Sequence, residues 1–533
     1  MTQSTLKEQH LQQQEILTFL KNTPHLWDTT NSCPDDIERI ETHGATVLLG
    51  KYHAIKMKKA VHFDHMDYGT VEQRRIFCEK ELTLNKKSAP TLYLEILPIY
   101  ASIDTVYSFK TGDHPIEHLL KMRRFPKGNR LDEYINREDF SFELQEKLAD
   151  AVISLHTTAK IVASEENVPN FNGVIHKNFQ QLDGFCPDIL ELKDVQNYRQ
   201  NLKNFVKKQD TLLTSRITDQ WVRWGHGDLH LQNICLLDGE PLLFDAIEYQ
   251  DDFVISDILY DLSFLLMDLW ERDLRAAANS IFNRYLTGMK CMTKPQGFQG
   301  LQLLPFYLSM RAGIRTHVAG NRFLQSDDAK SRKEYAIQTR QLFDSSRSHL
   351  SPPPPRMIAI GGFSGSGKST LARNLAPFIG AAPGAIRIRS DEIRRQLIGW
   401  DEYSKMPQSA YTSEQSAAVY KQMELCAKAI LQTGHSVILD AVLDREIDQK
   451  SFEQVATDLH LPFTGIWLNV DQQVMKKRIE GRSRDASDAT VQVLEQQISR
   501  NNKKNSTWHQ LDGSGTPQQS LNYSLELLEQ NRL

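Results

Sequence analysis

The nine residues GFSGSGKST, 362–370, follow the apolar run MIAIG and precede the helix-prone TLARNLA. A strand that turns through glycines directly into a helix leaves few folds open, and the natural one is a parallel sheet flanked by helices. The spacing matches G-x-x-x-x-G-K-[ST]. Glycines at 362, 365 and 367 let the backbone curl its N–H groups around phosphate oxygens. Lys368 is placed to neutralise terminal phosphates, and the Ser369 hydroxyl can bind Mg²⁺ at the helix N-terminus. The expected nucleotide contacts are Gly362, Ser364, Gly365, Ser366, Gly367, Lys368, Ser369 and Thr370. A flexible glycine loop that holds nothing is the plain alternative.

The next apolar strand, AIRIRS, leads to Asp391, where RSDEIRRQL opens a helix carrying Arg394 and Arg395. An acid beside the terminal phosphate can accept a proton from a hydroxyl, and an arginine one turn later can clamp a phosphate. Asp391 is therefore a candidate base, with a helix N-cap as its structural alternative. GHSVILDA is a strand ending in Asp440, suited to hold the hydration shell of Mg²⁺. Arg478, Arg482 and Arg484 stand in KKRIEGRSRDASDA, which resembles the lid of small P-loop kinases; that resemblance implies a segment that closes over ATP, with Arg482 the expected contact. A solvated basic helix competes with that account.

A second constellation lies upstream. In HGDLHLQN, 226–233, Asp228 is followed five positions later by Asn233, and an apolar run then leads to Asp245 in LLFDAIEY. Phosphoryl transfer needs a group to orient the attacking hydroxyl and oxygen ligands for Mg²⁺. Asp228 suits the first task, Asn233 and Asp245 the second. A polar loop whose Asp and Asn cap turns is the alternative. His226 and His230 are read as positioning the backbone.

IERIETHGATVLLGKYHAIKMKK reads as short strands broken at His43-Gly44 and Gly50-Lys51. VEQRRIFCEKELTLNKK follows as a helix with Ile76, Phe77, Leu82 and Leu84 at helical spacing, and SFELQEKLADAVISLHTTA as another. Lys56 is the candidate for the strand lysine that orients phosphates in kinases, a role that the resemblance of HGDLHLQN to kinase loops implies, with Lys58 on the same face. Glu81 is its preferred acidic partner and Glu79 the alternative. Asp257 and Asp261 fall on one face if helical, and the resemblance to kinases, whose relatives carry an acid here that steadies the catalytic loop, implies structural support from Asp261. The prolines of SPPPPR favour an extended segment. The resulting boundaries are 1–345, a linker at 346–356, and 357–533.

HGDLHLQN with FDAIEY resembles the aminoglycoside phosphotransferase branch of the protein-kinase-like fold. That resemblance implies a bilobal α+β domain with ATP between a β-rich and a helical lobe, and a hinge near 122–125. No GxGxxG stands at the first hairpin, which points to the small-molecule branch. GFSGSGKST, RSDEIR and RDASDA resemble P-loop kinases of the gluconate-kinase and zeta-toxin kind, implying an α/β NTPase domain with a parallel sheet. The order of the two resembles a bacterial fusion family, which implies ATP and Mg²⁺ in each half.

Charge is nearly balanced at −4, with no long basic block, which argues against a nucleic-acid arm or a polybasic membrane anchor. The six cysteines form no CxxC pair, suiting a reducing compartment and core filling. The first twenty residues lack a secretory pattern, and no apolar run reaches membrane-spanning length. A cytoplasmic bifunctional phosphotransferase acting on small hydroxyl compounds is the expectation. An ATP-switched regulatory protein, or a P-loop half acting on a nucleic-acid 5′-hydroxyl, are the alternatives.

Overall fold

The computed structural model describes residues 3–27, 36–63, 66–102, 106–110, 114–138, 140–162, 171–401, 404–481, 490–500 and 507–530. Packing divides the chain into two compact units. One comprises Met1–Asn170 with Thr214–Phe264, the other Phe171–Leu213 with Leu265–Leu533. The second unit thus includes residues on both sides of the proline segment, 352–356 being without helix or strand.

In the first unit, β1 (Glu38–Glu41), β2 (Ala45–Leu49), β3 (His53–Lys58), β4 (Tyr93–Ala101), β5 (Tyr107–Ser108) and β6 (Glu117–Arg123) form a sheet of order β1-β2-β3-β6-β4-β5. All neighbours are antiparallel. The breaks predicted at His43-Gly44 and Gly50-Lys51 are the turns of this meander. Side chains alternate between the two faces. Ile55 and Met57 therefore join Ile16, Leu17 and Leu20 of the N-terminal helix α1 (Gln3–Lys21) in one core. Lys56 and Lys58 are left to the opposite face.

Against that face lies α2 (Val71–Asn85), begun by a capping box between Thr70 and Gln73. Its orientation corrects the sequence reading. Ile76 is 45% exposed, and the buried stripe is Arg74, Cys78, Glu81 and Asn85. A polar stripe is tolerated inside only when every group is satisfied, and these are. Arg74 Nε donates to both oxygens of Glu117, at 2.9 and 3.0 Å. Asn85 donates to Glu81 O and accepts from Ala246 N, each at 2.9 Å.

In the second unit, β9 (Met357–Gly361), β10 (Ile386–Arg389), β11 (Val437–Asp440), β12 (Phe463–Asn469) and β13 (His509–Asp512) form a parallel sheet of order β10-β11-β9-β12-β13. Every residue of β9 and β11 is buried, as expected of a sheet covered on both faces. The edge strand β10 is finished by side chains of the helix α4 (Arg275–Gly288). Asn283 Oδ1 accepts from Arg387 N at 2.7 Å, while Asn279 Nδ2 donates to Ala385 O at 3.0 Å and Pro383 O at 3.1 Å.

Two buried amides thus occupy hydrogen-bonding groups that a sheet edge otherwise presents to other chains. Asn283→Ala should strand the Arg387 N–H and lower stability by about 1–3 kcal/mol. The check is the urea midpoint, and an unshifted midpoint would refute the role.

Among the described residues no helix is long and apolar enough to cross a membrane. Of the cysteines expected to fill cores, Cys78, Cys235, Cys291 and Cys426 are buried, and Cys186 is half-buried. Cys33 lies outside the described residues.

Candidate functional sites in the two units

In the first unit the segment 226–233 leaves the strand Val222–Trp224 and ends in a 3₁₀ turn, Leu231–Asn233, that enters the hairpin β7 (Ile234–Leu237) and β8 (Glu240–Leu243). Asp261 fixes the start of this loop. Its Oδ2 accepts from His226 N at 2.7 Å and its Oδ1 from Gly227 N at 2.9 Å. The buried His156, on α3 (Phe142–Thr158), places its Nε2 3.2 Å from Oδ2. Gly225 must be glycine here, because a Cβ would stand 2.4 Å from Asp261 Oδ2. Asp257 does not share this face. It ends a strand and forms a buried two-pronged pair with Arg216, at 2.6 and 2.8 Å.

His226 is fully buried, and burial pushes its imidazole below the ordinary value. A neutral ring fits its partners, with Nε2 donating to Phe244 O at 2.9 Å and Nδ1 accepting from Asp228 N at 3.4 Å. Asp228 is held from the far side of the loop. Asn233 Nδ2 donates to its Oδ2 at 2.8 Å and to its backbone O at 2.9 Å. His230 Nε2 stands 3.3 Å from the same Oδ2, while its Nδ1 accepts from Gln232 N at 3.2 Å. His230 therefore orients the candidate base as well as the backbone. The sequence offers no signal for that beyond its presence two residues after Asp228.

Lys56 Nζ donates to Glu81 Oε1 and to Asp245 Oδ1, both at 2.7 Å. The other oxygen of Glu81 accepts from Lys58 Nζ at 2.6 Å, and Lys58 reaches on to Glu248. Tyr68 OH also donates to Glu248. Glu79, the alternative partner, pairs instead with Arg75 on the surface. The result is an alternating row of charge, Asp245–Lys56–Glu81–Lys58–Glu248, in which Lys58, expected only to share the face of Lys56, binds the same glutamate, and Glu248 was not anticipated. Burial opposes charge on Lys56, yet Asp245, Glu81 and Glu248 hold its ammonium well above the ordinary lysine value. Burial likewise opposes ionised Glu81, but the two lysines hold it below the ordinary carboxylate value. Asp245 sits at φ 62°, a left-handed conformation that Asp adopts more readily than most residues, and its N–H donates to Tyr93 OH at 3.1 Å.

In the second unit the loop between β9 and α5 (Lys368–Leu375) has Gly362, Gly365 and Gly367 at φ 143°, 83° and 94°. At its centre Ser366 Oγ is buried without a hydrogen-bond partner among the described residues. Such an orphaned hydroxyl within a curled backbone fits a phosphate cradle. Lys368 Nζ donates to Phe363 O at 3.0 Å, across the loop, and Ser364 N donates to Gln497 Oε1 at 2.9 Å. Thr370 lies in the first turn of α5. Arg478, on α7 (Gln472–Glu480), donates to Gly513 O at 2.9 Å and approaches Ser366 O at 3.4 Å, so it braces the loop.

β10 ends at Arg389, and Asp391 lies one residue inside α6 (Ser390–Ile398), whose N-cap is Arg389 without a side-chain cap. Asp391 is therefore not the capping residue. Loss of water around it raises its carboxyl above the ordinary value; Asp440 adds to the effect, while Arg389, Arg394 and Lys368 oppose it. Arg394 and Arg395 each donate to a backbone carbonyl through Nη1, while Arg394 Nε is buried without a partner among the described residues. The first donates to Ala410 O, the second to Asp401 O. Asp440 closes β11 beside β9, 4% exposed. Arg482 and Arg484 lie outside the described residues.

Mg²⁺ needs few protein ligands, because nucleotide phosphates and waters complete its shell. Among the described residues no three His, Cys, Asp or Glu side chains form a metal cluster. An amide with one carboxylate in the first unit, Asn233 with Asp245, is the sparse oxygen set that suits Mg²⁺. Ser369 with Asp440 is its counterpart in the second.

A family model described as Phosphotransferase enzyme family matches residues 113–298, and one described as AAA domain matches residues 357–503. An uncharacterised protein of Mycobacterium tuberculosis, strain H37Rv, is 28% identical over 488 residues, covering 90% of this chain and 93% of its own. Two solved structures are similar to parts of the chain. A choline/ethanolamine kinase family protein from Mesorhizobium loti is 12% identical over 63% of this chain and 98% of its own, with a TM-score of 0.37. A gluconokinase from Sinorhizobium meliloti 1021 is 16% identical over 33% of this chain and 93% of its own, with a TM-score of 0.25. The two family matches support a phosphotransferase. The chain joins a domain of the phosphotransferase enzyme family, over 113–298, to an AAA domain with a P-loop, over 357–503.

Proposed function

We propose that this chain is a bifunctional ATP-dependent phosphotransferase acting on small hydroxyl-bearing molecules. Its halves, 1–345 and 357–533, each carry an ATP and Mg²⁺ site. The observation that carries the reading is that, in the first unit, Lys56 meets Glu81 and Asp245, 25 and 189 residues away, each at 2.7 Å, while within one loop Asn233 holds Asp228 at 2.8 Å. Lys56 orients the nucleotide phosphates, and Glu81 holds Lys56. Asp228 accepts or orients the proton of the acceptor hydroxyl, its carboxylate fixed by Asn233 and His230. In the P-loop half the backbone of 362–370 and Lys368 cradle phosphates, and Asp391 takes the base role. Mg²⁺, when bound by Asn233 and Asp245 or by Ser369 and Asp440, neutralises charge on the transferring group.

The test is transfer of labelled γ-phosphate from ATP into a small-molecule extract by the intact chain, Asp228→Asn and Asp391→Asn. Each variant should lose a different labelled product. Tight ATP binding by all three proteins with no product would sink the reading and leave a nucleotide-switched regulator. A product confined to added RNA or DNA 5′ ends would reassign the P-loop half.

A further inference from the structure

Arg389 has no part in the roles above, yet it occupies the middle of the P-loop site. It closes β10 beside Asp440, its register partner on β11. Its guanidinium reaches Asp440 Oδ2 through Nε at 3.2 Å and Ser369 Oγ through Nη2 at 3.4 Å. Nη1 donates to Glu392 Oε1 at 3.1 Å. The Arg389 and Asp440 side chains are only 15% and 4% exposed. Ser369 and Asp440 are the two residues between which a P-loop site holds its divalent cation. A planar guanidinium with several donors can span both oxygens at once.

We propose that Arg389 is the resident counter-cation of this site, a positioning residue that holds Ser369 Oγ and Asp440 at the place a divalent cation takes on loading, and that yields to it. The inference rests on the P-loop half being an ATP site. Three carboxylates, Asp391, Glu392 and Asp440, lie around Arg389, and a polyanion bound there would meet their charge. The guanidinium offsets them before metal arrives, so metal-free ATP can approach. Glu392 provides a tether that need not be broken when Ser369 and Asp440 are released. Glu392 is itself steadied by Thr287 Oγ1, 3.5 Å from its Oε2.

The affinity of the full chain for a fluorescent ATP analogue is measured in EDTA and in Mg²⁺, on a Lys56→Met background so that only the P-loop site reports. The quantity read is the Kd in EDTA divided by the Kd in Mg²⁺. Arg389→Gln should raise that ratio roughly tenfold or more, because Asp440 then faces metal-free phosphates uncompensated. Arg389→Lys should raise it by a smaller factor, since a point-like ammonium cannot span both oxygens. A purely structural arginine would weaken both affinities together and leave the ratio unmoved, which overturns the proposal. Should the Gln variant fail to fold by circular dichroism, the Lys variant decides, and a ratio at or below the unsubstituted one overturns it. Absence of ATP binding by the unsubstituted site in either condition is a different failure. It removes the ATP-site reading, and this inference with it.

Discussion

Asp228→Asn should slow phosphoryl transfer by the first unit about 10²–10⁴-fold, the usual contribution of a positioned base, while ATP remains bound. The substitution is nearly isosteric, and an asparagine oxygen can still accept from Asn233 Nδ2 and His230 Nε2, so the loop geometry is retained. Only proton affinity is lost. Lys56, Glu81 and Asp245 bond to one another and not to Asp228, so nucleotide binding should change little. Steady-state transfer to whichever acceptor is labelled, with ATP affinity measured alongside, separates the two effects. A rate within tenfold of the unsubstituted chain would remove Asp228 as the base. Parallel loss of ATP binding would show that it shapes the nucleotide site instead.

Glu81→Gln should cost the first unit about 3–5 kcal/mol, because it leaves two buried ammonium groups without their shared carboxylate. Glu81 is fully buried, and Lys58 is 1% exposed. The sign with pH follows from the direction of each shift. Glu81 sits below its ordinary value, so its contribution is present at neutral pH and is lost as pH falls through that lowered value. Lys56 and Lys58 sit above the ordinary 10.5, so theirs is present below that value and is lost only as pH rises through the raised ones. The stability gap between the unsubstituted chain and Glu81→Gln should therefore be full at neutral pH and close in acid, where protonated Glu81 resembles glutamine. Urea unfolding across that range measures it. A gap that persists in acid would mean that packing, not charge, is what Glu81 supplies.

The candidate sites were legible where spacing along the chain encodes their geometry. The loop 226–233 brings its own Asp228 and Asn233 together, and 362–370 curls at its own glycines. What could not be read were partnerships between distant segments. Hydrophobic spacing placed Ile76 inward on α2, but the helix turns on Arg74, Glu81 and Asn85, whose partners Glu117, Lys56 and Ala246 come from other elements. A charged residue looks solvated in sequence until the group that neutralises it is known. Glu248 was invisible for that reason, and so was Arg389, whose contacts to Ser369 and Asp440 span 20 and 51 residues. Asp257 and Asp261 were paired by a periodicity that fails because a strand ends between them. Only Asp261 reaches the loop.

The amides of α4 on β10 bear on how the gene could be split. A break in the proline segment looks harmless by composition, and the piece from 357 onward would keep its glycine loop, Lys368 and Asp440. It would also expose a strand whose hydrogen-bonding groups are left open for want of Asn279 and Asn283. Dissection should therefore give a fragment prone to self-association, and adding back 275–288 should do more for its solubility than any change to the glycine loop.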